Sequence, residues 1–207
     1  MGTARPALSV AILTGGRASR MGGVRKGSLV IDGIAIIDRQ LAVLREITPS
    51  IFVVSSAMGA ADADLPIVRD RMPDCGALGG IYTAIVSSPA ERTLVLACDL
   101  PFLNPALIEH MAGIDADVVI PRGARGYEPL HAIYSRACAE PIRQRIERGD
   151  LAASVLPKNL RVVEIGPEEL AAYDGEGLLF VNVNTPHDYE RAKELQGRDR
   201  IMDELGR

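Results

Sequence analysis

Four short apolar runs, Leu8 to Leu13, Ile51 to Ser55, Thr93 to Ala97 and Asp117 to Pro121, are separated by longer stretches of helical pattern. Strands that are apolar on nearly every residue have both faces covered, a condition met by a parallel sheet with helices packed on each side. The intervening segments supply those helices. Ile36, Ile37, Leu41, Leu44 and Ile47 recur at helical spacing, with Asp38, Arg39, Arg45 and Glu46 opposite them, which predicts an amphipathic crossover helix. Gly76 to Val86 reads as a second helix, opened by small residues. Asn104-Pro105 and Thr185-Pro186-His187-Asp188 each offer an N-cap followed by proline at the first helical position, the latter with a capping-box carboxylate. Residues 66–68 form a short strand, Tyr127 to Ser135 has strand character, and Arg136 to Arg148 is a charged helix. Arg161 to Ile165 and Leu178 to Val181 complete the strands. The expected fold is α/β, a three-layer αβα sandwich around a mostly parallel sheet. One domain spans residues 1–195, and 196–207 form a polar tail.

A chain of 207 residues, 47% hydrophobic, suffices for one core. Its net charge of −4 and lack of tryptophan leave no basic field and few stacking platforms, which argues against polymeric nucleic acid as a partner. Cys75, Cys98 and Cys138 are odd in number and have no CxxC spacing, so they suit neither a disulfide framework nor a zinc site, and a reducing compartment is expected. The first apolar run passes straight into Gly15-Gly16 without a cleavage site, and no apolar run reaches the roughly 18 residues of a membrane helix. The expected location is cytoplasmic, with no membrane partner.

Residues 11–27 read AILTGGRASRMGGVRKG. Gly15-Gly16 directly after a strand lets the backbone turn sharply and present N–H groups to an oxyanion. Arg17, Arg20, Arg25 and Lys26 add the charge to neutralise a polyphosphate, although a solvated glycine-rich loop has the same composition. The loop lacks GxxxxGK[ST] and GxGxxG, which disfavours a P-loop NTPase and a dinucleotide-binding oxidoreductase. No GxSxG elbow or HExxH helix supports a hydrolase triad or zinc peptidase. Ala97-Cys98-Asp99-Leu100-Pro101 ends an apolar strand with a carboxylate where open α/β sheets hold ligands. A single aspartate there can hold Mg²⁺ with phosphates and waters completing the shell, or it can serve as a turn or capping residue.

Read together, Leu13-Thr14-Gly15-Gly16, Arg20-Met21-Gly22-Gly23 and Lys26 resemble the signature loop of nucleotidyltransferases, in the double-glycine form of the molybdenum cofactor guanylyltransferases. Thr14 stands where that family has alanine, and Arg25 where it has an acid before the lysine. Asp99 with Pro101 matches the family's metal site. Asp70 followed by Gly76-Ala77-Leu78-Gly79-Gly80 matches its nucleoside side, with Ala77 for proline and Gly79 for alanine. Phe180-Val181-Asn182-Val183-Asn184-Thr185-Pro186 and Glu128-Pro129-Leu130-His131-Ala132 match two further segments.

The resemblance implies a Rossmann-like nucleotidyltransferase fold and transfer of GMP from GTP to molybdopterin. Leu13, Thr14, Gly15, Gly16, Lys26, Asp70 and Asp99 would bind GTP, with Asp70 at guanine or ribose. Lys26, Asp99 and Arg20 would be catalytic, and Asp99 would hold Mg²⁺. Asn182, Asn184 and His131 would face molybdopterin, while a buried structural histidine is the other reading of His131. A molybdoenzyme apoprotein or a delivery chaperone would receive the product. A related enzyme using CTP or another phosphorylated acceptor, and a non-catalytic GTP-binding maturation adaptor, fit the same motifs.

Overall fold

The computed structural model of the chain describes residues 7–14, 20–21, 24–56, 64–156, 159–174 and 177–194, with 20–21 and 24–26 by backbone alone. In chain order the elements are β1 (Leu8–Thr14), β2 (Arg20–Met21), β3 (Val24–Arg25), a 3-10 turn (Lys26–Ser28), β4 (Val30–Ile31), β5 (Ile34–Ala35) and α1 (Ile36–Ile47). Then come β6 (Ile51–Ser55), β7 (Ile67–Arg69), α2 (Gly76–Ser87), β8 (Arg92–Ala97), α3 (Pro105–Gly113), β9 (Val118–Gly123), β10 (Gly126–Tyr127) and β11 (His131–Ser135). A second 3-10 turn (Arg136–Cys138), α4 (Ala139–Glu147), β12 (Val162–Ile165), α5 (Pro167–Leu170) and α6 (186–194) follow.

The sheet order is β10-β9-β11-β8-β1-β6-β7, with β12 also paired to β9. Strands β8, β1, β6 and β7 are mutually parallel, so their carboxyl ends share one edge. Strand β11 runs antiparallel to both β8 and β9, which returns the carboxyl end of β9 to that same edge. Alternation along the strands divides the core. Val10, Ile12, Leu94, Leu96 and Ile133 face α1 and α3, while Ala11, Val95, Ala132 and Tyr134 face α2 and α4. This is the three-layer αβα sandwich expected of two-face burial.

The expected helix over 36–47 is present with those bounds, and the second extends to Ser87. Both capping expectations hold. Asn104 Oδ1 accepts from Leu107 N at 3.1 Å, while Thr185 Oγ1 accepts from Asp188 N and Asp188 Oδ2 accepts from Thr185 N at 2.8 Å. Three expectations are corrected. Leu178 to Val181 is a turn, because Asp174 Oδ1 accepts from Leu178 N and Leu179 N and bends the chain away from ladder pairing. The stretch from Tyr127 to Ser135 is interrupted at Glu128–Leu130, where Pro129 has no N–H to give a ladder. The charged helix begins as a 3-10 turn before α4. The tail expected over 196–207 lies outside the described residues.

The sequence reading did not identify the β4–β5 hairpin. Asp32 and Gly33 both have positive φ, 54° and 78°, the backbone of the two-residue turn that Asp-Gly favours. Arg39 on α1 donates from Nε and Nη2 to Ile31 O, tying the hairpin to the helix. A smaller cluster of Ile31, Ile36, Val183 and Ala192 then joins it to α6. Among the described residues, no helix is long and apolar enough to cross a membrane.

Candidate active site

The shared strand edge gathers four of the sequence-predicted residues, Leu13, Thr14, Asp70 and Asp99. Leu13 pairs with Ala97 on one side and Val54 on the other, and Thr14 pairs with Ser55. Gly15 and Gly16 lie outside the described residues, but the strand that delivers the chain to them ends at this edge. Arg20 and Lys26 are described by backbone: Arg20 pairs with Arg25 in the β2–β3 hairpin, and Lys26 opens the turn that packs on α1. Asp70 reaches the edge from β7, where its N donates to Ser55 O at 2.9 Å.

Asp70 serves its own turn as well. Its Oδ1 accepts from Met72 N at 3.0 Å and from Thr83 Oγ1 at 2.8 Å, while Thr83 Oγ1 accepts from Arg71 N. Among the described residues Oδ2 makes no hydrogen bond, so one oxygen holds the turn and the other is left for a donor outside it. Thr83, buried on α2, is the partner that sequence reading missed. After this turn Asp74 and Gly76 both take positive φ, 70° and 60°, and α2 begins without a side-chain cap.

Asp99 lies between the two sides of the edge. Cys98 N donates to Leu13 O at 3.2 Å, two residues before the glycine pair, and Val183 N donates to Asp99 O at 3.0 Å. The Asp99 turn therefore touches the loop strand on one side and the Asn182-Val183-Asn184 segment on the other. Val183 is fully buried, whereas Asn182 is half-buried and Asn184 exposed. Cys98 packs into the core beside it, as strand alternation predicts. Cys138 is also buried, donates to Asp117 O, and burial pushes its thiol up to about 11, so it is not a nucleophile at neutral pH.

A cleft of about 590 Å³ opens on the β9 side, lined in part by Arg122, Arg125, Glu128, Phe180, Asn182 and Arg191. Gly123 shapes its wall: a Cβ there would lie 3.1 Å from Glu128 Oε1 and 3.2 Å from the Phe180 ring. Burial raises the pKa of Glu128, and Arg125 opposes that shift. Arg122 bonds Glu164 at 3.4 Å, whereas among the described residues Arg125 and Arg191 make no hydrogen bond or ion pair. The cleft thus carries two guanidinium groups available to an anion, beside a half-buried carboxylate.

His131 stands behind this cleft. It is 1% exposed, packs edge-on against Phe180 with ring centroids 5.4 Å apart, and among the described residues neither ring nitrogen has a hydrogen-bond partner. A cation there would be desolvated without compensation, and burial lowers its pKa to about 4. The unfolded chain has the usual histidine value near 6.5, so it binds more protons than the folded chain between about pH 6.5 and 4. Folding stability should therefore be insensitive to this residue above about pH 7. Between about pH 6.5 and 4 it should fall by roughly 3 kcal/mol. Urea denaturation at a series of pH values should show that loss in the wild type and a flatter profile in His131→Phe; parallel profiles would contradict it.

Comparison with known proteins places these features in context. Residues 10–163 match the model of the MobA-like NTP transferase domain. The molybdenum cofactor guanylyltransferase of Desulfosudis oleivorans is 32% identical over 186 residues, covering 88% of this chain and 92% of that protein. A probable molybdenum cofactor guanylyltransferase of Carboxydothermus hydrogenoformans is 35% identical over 190 residues, covering 89% and 94%. Among solved structures, molybdopterin-guanine dinucleotide biosynthesis protein A of Archaeoglobus fulgidus superposes with a TM-score of 0.76 at 28% identity, covering 92% of this chain and 99% of that one.

Proposed function

The chain belongs to the MobA-like NTP transferase family, and on that footing we propose that it transfers GMP from GTP to molybdopterin, releasing pyrophosphate and forming molybdopterin guanine dinucleotide. The observation that carries this reading is the position of the Asp99 turn, bonded to Leu13 of the loop strand and to Val183 of the Asn182–Asn184 segment. A group held there faces both a triphosphate on the glycine loop and an acceptor on the β9 side.

In this reading an oxygen of the acceptor's terminal phosphate forms a bond to the α-phosphorus of GTP while the bond to pyrophosphate breaks. That phosphate is already ionised at neutral pH, so the protein need supply only position and charge. Leu13, Thr14 and the amides of Gly15 and Gly16 fix the triphosphate, and Lys26 and Arg20 neutralise the departing pyrophosphate. Asp70 takes its donors from guanine or ribose through the oxygen its turn leaves over.

Asp99 would hold Mg²⁺. The donor chemistry suits it: Asp99 offers a carboxylate beside the loop strand, and Mg²⁺ typically takes one or two carboxylates with phosphates and water. Bound there, Mg²⁺ would neutralise charge on the phosphate oxygens. On the acceptor side, Asn182 and Asn184 meet polar groups of molybdopterin, Arg125 and Arg191 hold its phosphate, and His131 acts through the Phe180 ring that it supports. The proposed location is the cytoplasm, where GTP is made, and the product passes to a molybdoenzyme apoprotein or a delivery chaperone.

The test is pyrophosphate release with Mg²⁺, molybdopterin and either GTP or CTP. Release with GTP is expected; release with CTP alone, or with neither, overturns the proposal. The double variant Arg125→Ala, Arg191→Ala should raise the KM for molybdopterin by at least about tenfold, the scale of one charge-assisted hydrogen bond, with the KM for GTP unchanged.

A further inference from the structure

The inner face of α1 is apolar at Ile37, Leu41 and Leu44, but it is interrupted by Gln40, which is fully buried. Its amide nitrogen donates to Ala97 O at 2.8 Å and to Leu100 O at 2.9 Å. These carbonyls flank Cys98 and Asp99, so a single NH₂ group spans the turn that carries the carboxylate. The side-chain oxygen, Oε1, is buried with no hydrogen-bond partner among the described residues.

The amide does two things at once, pairing two carbonyls of the turn and tying them to one atom of α1. An aliphatic side chain of similar volume would remove the unpartnered Oε1 but would take the donor from both carbonyls. The two bonds do something an aliphatic side chain cannot: they fix the separation of the turn's two ends and hence the direction of the residue between them. The helix has a second attachment one turn earlier. Ile36 N donates to Leu29 O at 2.9 Å, and the turn that begins at Lys26 packs on α1. The first turns of α1 therefore hold the segment bearing Lys26 and, through Gln40, the turn bearing Asp99.

We infer that Gln40 is a positioning residue that orients Asp99 toward a divalent cation and keeps it in register with the Lys26 segment through α1. This rests on the reading of Asp99 as the cation's ligand. Gln40 itself touches neither nucleotide nor metal.

The test is Mn²⁺ titration of the full chain in the presence of GTP, followed by the electron paramagnetic resonance signal of free Mn²⁺. Wild type, Asp99→Asn, Gln40→Met and Gln40→Glu are compared, with GTP affinity in EDTA and thermal melting measured in parallel. Gln40→Met should weaken Mn²⁺ binding about tenfold or more, the usual effect of removing a group that orients a metal ligand, with metal-free GTP affinity within about twofold of wild type. Gln40→Glu should fall between, because a buried carboxyl held protonated keeps one O–H donor for one of the two carbonyls.

Wild-type Mn²⁺ affinity in folded Gln40→Met, with Asp99→Asn impaired, overturns the inference and leaves the reading of Asp99 standing. Undiminished binding in Asp99→Asn overturns that reading, and the inference with it. Should Gln40→Met fail to fold, Gln40→Glu decides alone: weakened Mn²⁺ binding sustains the role, and wild-type binding ends it.

Discussion

Replacing Asp99 by asparagine should reduce pyrophosphate release from GTP and molybdopterin by about a thousandfold, with the far-ultraviolet circular dichroism spectrum unchanged. The substitution preserves shape and leaves the backbone bonds of the turn, Cys98 N to Leu13 O and Val183 N to Asp99 O, in place. It removes one negative charge from the point where the two sides of the strand edge meet. An amide oxygen is a weaker ligand for a hard cation than a carboxylate, so the loss should appear mainly in kcat and in the Mg²⁺ concentration required. A decrease of less than about threefold would show that the carboxylate is a turn residue and nothing more.

Gly79→Ala should destabilise the fold by about 3 kcal/mol and lower Tm by about 5–10 °C. A Cβ at Gly79 would lie 2.5 Å from Met72 O and 3.0 Å from Cys75 Cβ. Met72 O is a backbone atom in the turn stapled by Asp70 and Thr83, so it cannot swing aside, and α2 must lift from that turn. The damage should spread to GTP affinity, because the same turn carries Asp70. Gly80→Ala makes a useful contrast. Its Cβ would meet Leu13 Cδ1 at 2.8 Å, the end of a side chain that can rotate, so the cost should be smaller. Differential scanning calorimetry of both variants checks the order; equal melting temperatures would contradict it.

The parallel core was legible because burial on both faces leaves a compositional mark. Val10, Ala11 and Ile12 on β1, and Leu94, Val95 and Leu96 on β8, are consecutive apolar residues that no half-exposed strand would carry. Caps at Asn104 and Thr185 were legible for a related reason, since a short polar side chain before proline has few other uses. What escaped was decided by single side chains acting on distant backbone. Nothing in the local pattern of Leu178 to Val181 distinguishes a strand from a turn held by Asp174. Likewise, Gln40 reads as an irregularity in an apolar stripe until its two carbonyl partners, more than fifty residues away, are seen beside it.

At the candidate site, the family resemblance pointed to Leu13, Thr14, Asp70 and Asp99, and these share one sheet edge. Spacing could not divide the labour within a residue, as at Asp70, where one oxygen is already engaged by Thr83 and Met72. Nor could it separate lining from backing. His131 falls within a motif-like segment, yet its ring packs against Phe180 behind the cleft, because strand β11 turns that ring into the core.

The amide that closes over the Asp99 turn belongs to Val183, later in the chain than every described strand of the central sheet. Synthesis from the amino terminus lets β1, β6, β8 and β9 emerge, and begin to pair, before that amide has left the ribosome. A growing chain therefore carries the loop strand and the Asp99 turn for some time without the segment whose amide bonds to that turn.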